Sequence, residues 1–539
     1  MGHRVIWIGL VGVAAAAAVG ATALVVTRDG SAADAGAAPH LVMSELDHRY
    51  EGDAGYFVGG GVATFDCDAD GFPDLFLAGG EAPSALYRNT SPVGGELRFE
   101  PVPSAATGLT HVTGAYPLDV DSDGVADLMV LRHGGGGNVL LRGLGDCAFD
   151  ESNAGFGLDG GNAWTVAFSA TWEGDNVLPT LAFGHFLRPD THECDGNELM
   201  RPAGGRYAAR QPLDPGYCSL SMLFSDWDRS GRRDLRVAND RNYYLDGSEQ
   251  LWRMDPGGPP RPYTEADGWR KLQVWGMGIA STDLDGDGYP EVYVTSQGDN
   301  KLQQLDTPGG DPSYHDIALD RGVTATQPFT GGDVLPSTAW HPQFADVNND
   351  GRADLLVTKG NVEGQPDYAV KDPTNLFLQQ ADGTFTEGAE AAGMVRFERT
   401  RGASVADLNL DGLLDGVLVH RQANVTVWRN VGSGAADAPG PMGHWLQLRL
   451  SQPAPNVDAV GAWIEVRTGD RVQSIELTVG GGHASGQLGW THVGLGPATG
   501  AEVRVHWPDG ETGEWAAVEA DRFLLVERGA PSPVEWQPS

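Results

Sequence analysis

Six short acidic segments hold the residues of this sequence best suited to chemistry. Each carries oxygen-bearing side chains at positions 1, 3, 5 and 9 and Gly at position 6, and residues 283–291 (DLDGDGYPE) are the clearest copy. Hard oxygen atoms spaced around a glycine turn are the ligands that Ca²⁺ prefers. We name the segments loops 1 to 6 in chain order. Their predicted metal ligands are Asp66, Asp68, Asp70 and Asp74; Asp119, Asp121, Asp123 and Asp127; Asp226, Asp228, Ser230 and Asp234; Asp283, Asp285, Asp287 and Glu291; Asp346, Asn348, Asp350 and Asp354; and Asp407, Asn409, Asp411 and Asp415.

Two other interpretations of these loops were weighed. An EF-hand needs a bidentate Glu at position 12, but that position is Leu or Val in all six loops. A metal-free turn is possible for one copy, because Asp and Gly favour turns. In six copies the converging carboxylates would repel one another without a cation. The pattern therefore predicts up to six Ca²⁺ ions.

The loops recur at a nearly constant interval. They begin at residues 66, 119, 226, 283, 346 and 407, and the one wide gap contains a degenerate copy near residues 171–184 that keeps the turn and strand but not the ligands. Apolar strands flank each loop, and two further short strands follow. Four short strands per repeat indicate a β-propeller, a ring that leaves little sheet edge exposed. The sequence therefore predicts an all-β chain with a seven-bladed propeller.

The loop and its flanking strands resemble the FG-GAP/VCBS repeat, which also builds integrin α-chain propellers, over about residues 59–430. The remaining part of the chain resembles the ASPIC/UnbV domain of cartilage acidic protein-like and bacterial secreted proteins. That resemblance rests on VGAWIEV at 460–466, GGGHASGQ at 480–487, HVGLG at 492–496 and VRVHWPDG at 503–510. It implies a small β-sandwich-like domain after the propeller.

The chain divides into three predicted parts. Residues 1–39 form a signal peptide or membrane anchor plus linker, residues 40–435 the propeller, and residues 443–528 the ASPIC/UnbV domain. The run 5–26 is uncharged. It fits an export signal cleaved near residues 21–23 as well as an uncut membrane anchor. Both alternatives predict an extracellular, periplasmic or cell-surface location.

Four cysteines suit an oxidising compartment. The candidate disulfides are Cys194 with Cys218 and, as the weaker pairing, Cys67 with Cys147; four buried free thiols are the alternative, and the sequence leaves the choice open.

Composition and the absence of certain motifs argue against several classes of function. The formal net charge of −37 argues against nucleic acid as a partner. No HExxH, CxxC or phosphate-binding loop is present. The HGGGG run at 133–137 is predicted to be a turn rather than an oxyanion loop. His483, Ser485 and His492 lie in Gly-rich sequence that also favours a turn over a nucleophile and base.

We therefore predict a non-catalytic protein for adhesion, or for binding an extracellular protein or glycan. The alternatives are a secreted polysaccharide hydrolase or lyase that uses carboxylates at the propeller face, and a membrane-anchored assembly factor.

Overall fold

The computed structural model describes residues 37–188, 190–240, 247–272 and 274–538. The predicted signal or anchor at residues 5–26 lies outside them. Within the described residues, no helix is both long and apolar enough to cross a membrane. The helices among these residues are single turns, including α1 (Asn153–Phe156) and α2 (Ala318–Arg321). The predicted all-β, propeller-type fold is confirmed.

Seven sheets follow one another in the described residues before residue 431; six have four strands, and in the seventh a later strand, Gly486–Gln487, adds to four others. Their strands are β1 (Leu41–Arg49), β2 (Val62–Phe65), β3 (Asp74–Leu77), β4 (Ala85–Asn89), β5 (Phe99–Pro101), β6 (Val112–Leu118), β7 (Asp127–Arg132), β8 (Val139–Gly143), β9 (Phe149–Glu151), β10 (Thr165–Thr171), β11 (Thr180–His185), β12 (Asn197–Ala203), β13 (Arg206–Leu213), β14 (Ser219–Ser225), β15 (Asp234–Asn239), β16 (Gln250–Arg253), β17 (Arg261–Pro262), β18 (Ile279–Thr282), β19 (Glu291–Val294), β20 (Lys301–Leu305), β21 (Tyr314–Asp316), β22 (Ala339–Ala345), β23 (Asp354–Lys359), β24 (Asn375–Gln379), β25 (Phe385–Glu387), β26 (Arg399–Ala406), β27 (Asp415–Arg421) and β28 (Asn424–Asn430).

The first strands of these sheets form the inner wall of the ring. Strands β2, β6, β10, β14, β18, β22 and β26 contact one another in this order, and β26 contacts β2. The last sheet takes its outer strand from the start of the chain, because β1 pairs with β28 with Leu41 opposite Asn430. This exchange ties the two ends of the repeat region together and leaves neither as an open edge. We call the space inside the ring the channel.

Each predicted loop joins the first and second strands of a sheet. The residue before the loop pairs with the acid at position 9, as Phe65 does with Asp74 and Thr282 with Glu291. In the sheet from the degenerate copy, Thr171 pairs with Thr180 across a loop of the same length. The degenerate copy therefore kept the hairpin while it lost the set of ligand positions.

The residues after the ring form a two-sheet sandwich, which we call the tail. One sheet has the order β33-β29-β36-β37 and the other β31-β30-β34-β35, with an apolar core between them. The last strand lies beyond the predicted boundary at 528. The strands are β29 (His444–Ser451), β30 (Trp463–Thr468), β31 (Arg471–Glu476), β32 (Gly486–Gln487), β33 (Thr491–Gly496), β34 (Gly500–His506), β35 (Ala516–Glu519), β36 (Arg522–Glu527) and β37 (Val534–Trp536).

One Gly-rich segment of the tail, residues 479–487, enters the channel, and we call it the plug. Its strand β32 pairs with β2 of the ring, and isolated bridges join the plug to β6, β10, β14 and β18. The approach is so close that a Cβ atom on Gly61 would lie 1.7 Å from the carbonyl oxygen of Ala484. Only glycine fits there.

The structure contains both candidate disulfides, which the sequence leaves open. Cys67 bonds Cys147 and Cys194 bonds Cys218, each with 4.7 Å between Cα atoms. The first links loop 1 to the next sheet along the ring, and such bonds are typical of proteins outside the reducing cytosol.

Candidate metal centres

The six loops share one backbone conformation. The residue at position 4 is left-handed in every loop, with φ between 56° and 78°, and the glycine at position 6 has φ between 82° and 90°. The glycine N–H donates to the carboxylate at position 1 in each loop, for example Gly71 to Asp66 over 2.9 Å. A side chain at position 6 would be strained, which explains the glycine.

The acid at position 9 also fixes the hairpin to the third strand. In loop 1 the two carboxylate oxygens of Asp74 accept the N–H groups of Cys67 and Asn89, both over 2.7 Å. Asp127, Asp354 and Asp415 make the same pair of bonds in their own sheets. These acids are buried and hold strands together whether or not they bind a metal.

Three loops bring carboxylate oxygens within 4.8 Å of one another. The groups are Asp66, Asp68 and Asp70; Asp119, Asp121 and Asp127; and Asp283, Asp285 and Glu291. Such clusters could hold metal ions, and the all-oxygen donor set is compatible with Ca²⁺. A fourth group joins Asp74 to Cys67 and Cys147, but both sulfurs belong to a disulfide and are not ligands.

Loops 5 and 6 differ from the other loops at position 3. Each has Asn at position 3, so a predicted ligand there is an amide oxygen. Their position 1 acids, Asp346 and Asp407, are buried at 7% and 3% exposure. Each accepts the N–H groups of positions 5 and 6 of its own loop.

In loop 3 an arginine of the loop itself lies against the predicted ligands. The Arg232 guanidinium donates to both oxygens of Asp234, over 2.8 and 3.1 Å, and lies 3.5 Å from Asp228. A positive charge therefore lies among the predicted ligands of loop 3.

Arginines also pair with acids of loops 1, 2 and 5. Arg88 lies 3.0 Å from Asp68, Arg142 contacts Asp121 and Asp123, and Arg352 contacts Asp350. Within the part of the chain that the structure describes, the predicted ligands of loops 4 and 6 form no ion pair. In loop 4, Gln304 instead donates to Asp285 over 2.7 Å.

Burial and mutual repulsion make the charges in these two loops costly. Burial, followed by repulsion from Asp285, raises the pKa of Glu291 to about 8. In loop 6, burial and then the neighbouring Asp411 raise the pKa of Asp407 to about 8. Buried carboxylates in this state are stabilised by a cation or by protonation.

The tail covers these loops, a contact that no local sequence pattern predicts. Glu476 of the tail accepts the N–H of Asp226 in loop 3, and Gln447 donates to Asp407 in loop 6 over 3.3 Å. The Trp536 ring lies against Gly71 of loop 1, where a Cβ would be 2.2 Å from it. Loop 4 is the least covered, with Asp285 and Asp287 exposed.

The histidines considered for catalysis have structural partners. His483 lies in the plug, where Gly59 N–H donates to Nε2 over 3.0 Å and Nδ1 lies 3.1 Å from the Met277 carbonyl oxygen. The Ser485 hydroxyl donates to a backbone carbonyl and accepts the Val62 N–H. His133 begins a turn of left-handed glycines and stacks on Trp164 at 4.1 Å.

Two cavities lie at opposite ends of the channel. The larger, of about 610 Å³, lies between the loops and the tail, and several buried polar atoms without a hydrogen-bond partner line it, among them Thr64 Oγ1 and Gln447 Oε1. The smaller, of about 280 Å³, lies where the first strands begin and is lined by Phe57, Trp340 and Gln365 among others.

Solved structures with a similar course of the chain include BBS1N in complex with ARL6DN, a lectin from Agrocybe aegerita that recognises terminal N-acetylglucosamine, and a sialidase from Trypanosoma rangeli. Their identities are 10%, 18% and 11%, and their TM-scores 0.44, 0.40 and 0.35. The matches cover 74%, 71% and 64% of this chain and 98%, 92% and 57% of theirs. At these values the likeness carries no information about function. No curated protein matches the sequence.

Two sequence families match. The FG-GAP-like repeat family matches residues 66–130 and 283–357, which include loops 1, 2, 4 and 5. The ASPIC and UnbV family matches residues 452–533, most of the tail. The chain therefore contains FG-GAP-like repeats and, after them, an ASPIC/UnbV domain.

Proposed function

We propose that this chain is an exported, Ca²⁺-binding propeller protein that binds an extracellular protein or glycan without catalysing a reaction. The observation that carries the metal proposal is loop 6. Asp407 and Asp415 are buried at 3% and 1% exposure, and with Asp411 they form no ion pair in the described part of the chain. Burial and mutual repulsion destabilise the charged forms of these three acids, and a bound cation would stabilise them.

Ca²⁺ fits these loops better than other common metals. The donors are carboxylate and amide oxygens on a flexible turn, and the predicted ligands include no thiolate or imidazole. We expect five ions rather than six, because Arg232 already supplies a positive charge to loop 3.

The position of the tail indicates which face of the ring would bind a partner. It lies over the loops, so the opposite end of the ring, around Phe57 and Gln365, is the face open to a large partner. Aromatic and amide groups there suit contact with a protein or with the apolar face of a sugar. The structural roles of His483 and Ser485 support a non-catalytic function.

Export accounts for two separate features. Two disulfides persist best outside the cytosol, and extracellular Ca²⁺ is concentrated enough for weak sites to fill.

A thermal melt with metal analysis tests the metal proposal. The purified chain from residue 40 should bind several equivalents of Ca²⁺ and melt at a markedly lower temperature in chelator. An unchanged melt without bound metal would contradict it.

Array binding tests the role of the open face. We expect a retained extracellular protein or glycan whose binding is lost in Gln365→Arg and kept in Glu535→Arg, a control on the tail. Equal loss in both variants would contradict the assignment of the face. Turnover of a glycan or ester panel that disappears when a pair of cleft acids is replaced would contradict the non-catalytic role.

A further inference from the structure

Loops 5 and 6 lie directly beneath the tail. The Trp445 ring covers Gly412 of loop 6 so closely that a Cβ there would lie 1.9 Å from the ring. Gly494 of the tail approaches loop 5 equally closely, since its Cβ would lie 1.9 Å from Asp346 Oδ2. The tail and loops 5 and 6 are therefore in direct contact, with no room for a side chain at Gly412 of the ring or at Gly494 of the tail.

A chain of hydrogen bonds runs through the tail from loop 5 to loop 6. Asn349 is residue 4 of loop 5, and its Nδ2 donates to the Gly412 carbonyl oxygen over 2.9 Å. Its Oδ1 lies 2.7 Å from His492 Nε2. His492 Nδ1 lies 3.1 Å from Gln447 Nε2, which is also 3.3 Å from Asp407 Oδ2.

The partners fix the direction of each bond. Because Asn349 uses its NH₂ group on Gly412, its oxygen faces His492, and His492 Nε2 must carry the proton. Burial lowers the pKa of His492 to about 3, so the ring is neutral and Nδ1 accepts a hydrogen bond. The group of Gln447 that faces His492 and Asp407 must then be its NH₂.

Loop 6 shows a second sign of a cation site besides its acids. Asn409 is fully buried, and its Oδ1 has no hydrogen-bond partner. Its Nδ2 is held by the Gly95 carbonyl oxygen over 2.9 Å and by Asp411 over 3.1 Å. A buried amide oxygen without a partner is costly, and coordination of a cation would satisfy it.

We propose that Gln447 and His492 of the tail are positioning residues for a Ca²⁺ centre in loop 6, and that metal binding there is linked to docking of the tail. Gln447 donates to the oxygen of Asp407 that also accepts the Gly412 N–H, and so holds the carboxylate in its ligand orientation. Partners of this kind commonly change metal affinity by roughly 10–100-fold. This inference rests on the proposed function, which places Ca²⁺ in the loops.

Linkage makes the effect reciprocal. If the docked tail strengthens Ca²⁺ binding at loop 6, bound Ca²⁺ strengthens docking by the same factor. Loop 4 provides an internal comparison, because its predicted ligands form no hydrogen bond with the tail within the described residues. Its affinity should not depend on Gln447.

The test compares two Gln→Met variants of the full chain. Gln447→Met removes the donor to Asp407, whereas the control Gln473→Met removes a donor, at 2.8 Å, to the backbone oxygen of Gly494. Calorimetric Ca²⁺ titration reports each class of site. The part of the tryptophan-excited Tb³⁺ luminescence that Trp445→Phe removes reports loop 6, because the Trp445 ring covers that loop whereas Trp536 lies against loop 1.

We expect one class of sites to weaken about tenfold or more in Gln447→Met, with loss of the Trp445-excited signal at low Tb³⁺ and no such change in Gln473→Met. Amide hydrogen exchange in β29 and β33 should also become less sensitive to Ca²⁺. If Gln447→Met does not fold, His492→Phe breaks the same chain at its centre and should weaken the same sites. Unchanged affinities in a variant that folds would overturn this inference alone. A wild-type chain that binds no Ca²⁺ would overturn the proposed metal function with it.

Discussion

Replacing Arg232 by Met tests whether a guanidinium stands in for the metal in loop 3. The Arg232 side chain is 17% exposed, and Asp234, to which it donates twice, is fully buried. Arg232 also donates to the Tyr263 hydroxyl over 3.0 Å. The substitution keeps most of the side-chain volume and removes the charge, so Asp234 becomes a buried carboxylate without a cation.

The expected cost follows from the contacts that remain. Removing one member of a buried ion pair costs about 3–5 kcal/mol. Asp234 would still accept bonds from Met254 N–H, Trp227 Nε1 and the Tyr263 hydroxyl, so we take the lower end, about 3 kcal/mol. For a ring of this size that corresponds to a melting temperature lower by about 4 °C, at an unfolding entropy of about 2 cal/mol/K per residue.

The assay is denaturant unfolding and Ca²⁺ stoichiometry, in chelator and in excess Ca²⁺. In chelator, the free energy of unfolding of Arg232→Met should be lower than that of the wild type by the full amount of about 3 kcal/mol. Ca²⁺ should restore part of it and add one bound equivalent, since Asp226, Asp228 and Asp234 then form an open site. The control Arg253→Met removes an exposed pair with Asp255, worth at most about 1 kcal/mol. The reasoning is refuted if Arg232→Met is as stable as the control, or if wild-type loop 3 already binds Ca²⁺ and loses it in Asp228→Asn.

Three further outcomes are expected. Replacing Cys67 and Cys147 together by Ala should lower the free energy of unfolding by about 4 kcal/mol, because their bond closes a loop of 80 residues in the unfolded chain. The internal check is that the wild type and the double variant are equally stable when both are measured in reductant. Burial lowers the pKa of His483 to about 3, so between about pH 6.5 and pH 5 the imidazole is protonated in the unfolded chain but not in the folded one. This group should therefore lower the free energy of unfolding by about 2 kcal/mol between pH 7 and pH 5, and His483→Gln should make stability depend less steeply on pH. Asp283→Ala should cost more stability in Ca²⁺ than Ser230→Ala, and the reverse order would argue against the ligand assignment.

Local pattern was enough to predict the repeating unit. Loop spacing and the flanking apolar runs predicted the hairpins, and the degenerate copy near residue 171 was recognised because its loop has the same length. Glycine at position 6 helped to identify each copy of the loop, because every copy needs the same left-handed turn. Both disulfide pairings could also be proposed from position in the repeat.

Long-range contacts could not be predicted in this way. Arg232 lies two residues before Asp234, and nothing in that spacing shows whether its side chain faces solvent or the ligands. The Gly-rich run at 480–487 was predicted to be a turn. The structure shows instead that it enters the channel, where its glycines are required by neighbours several hundred residues away in sequence. Such requirements depend on packing between parts of the chain that carry no shared local pattern.

The position of the tail changes how the acidic loops are understood. Taken alone, they are turns that a cation would stabilise one sheet at a time. Beneath the tail they also form its docking surface, because Glu476 binds the backbone of loop 3 and Gln447 binds Asp407. A metal that fixes the shape of these loops then fixes the surface on which the tail rests, and the tail in turn holds the plug inside the channel. Loss of metal from loops 5 and 6 would therefore loosen contacts at the far end of the channel. There, below the open face, His483 contacts Gly59 and Met277.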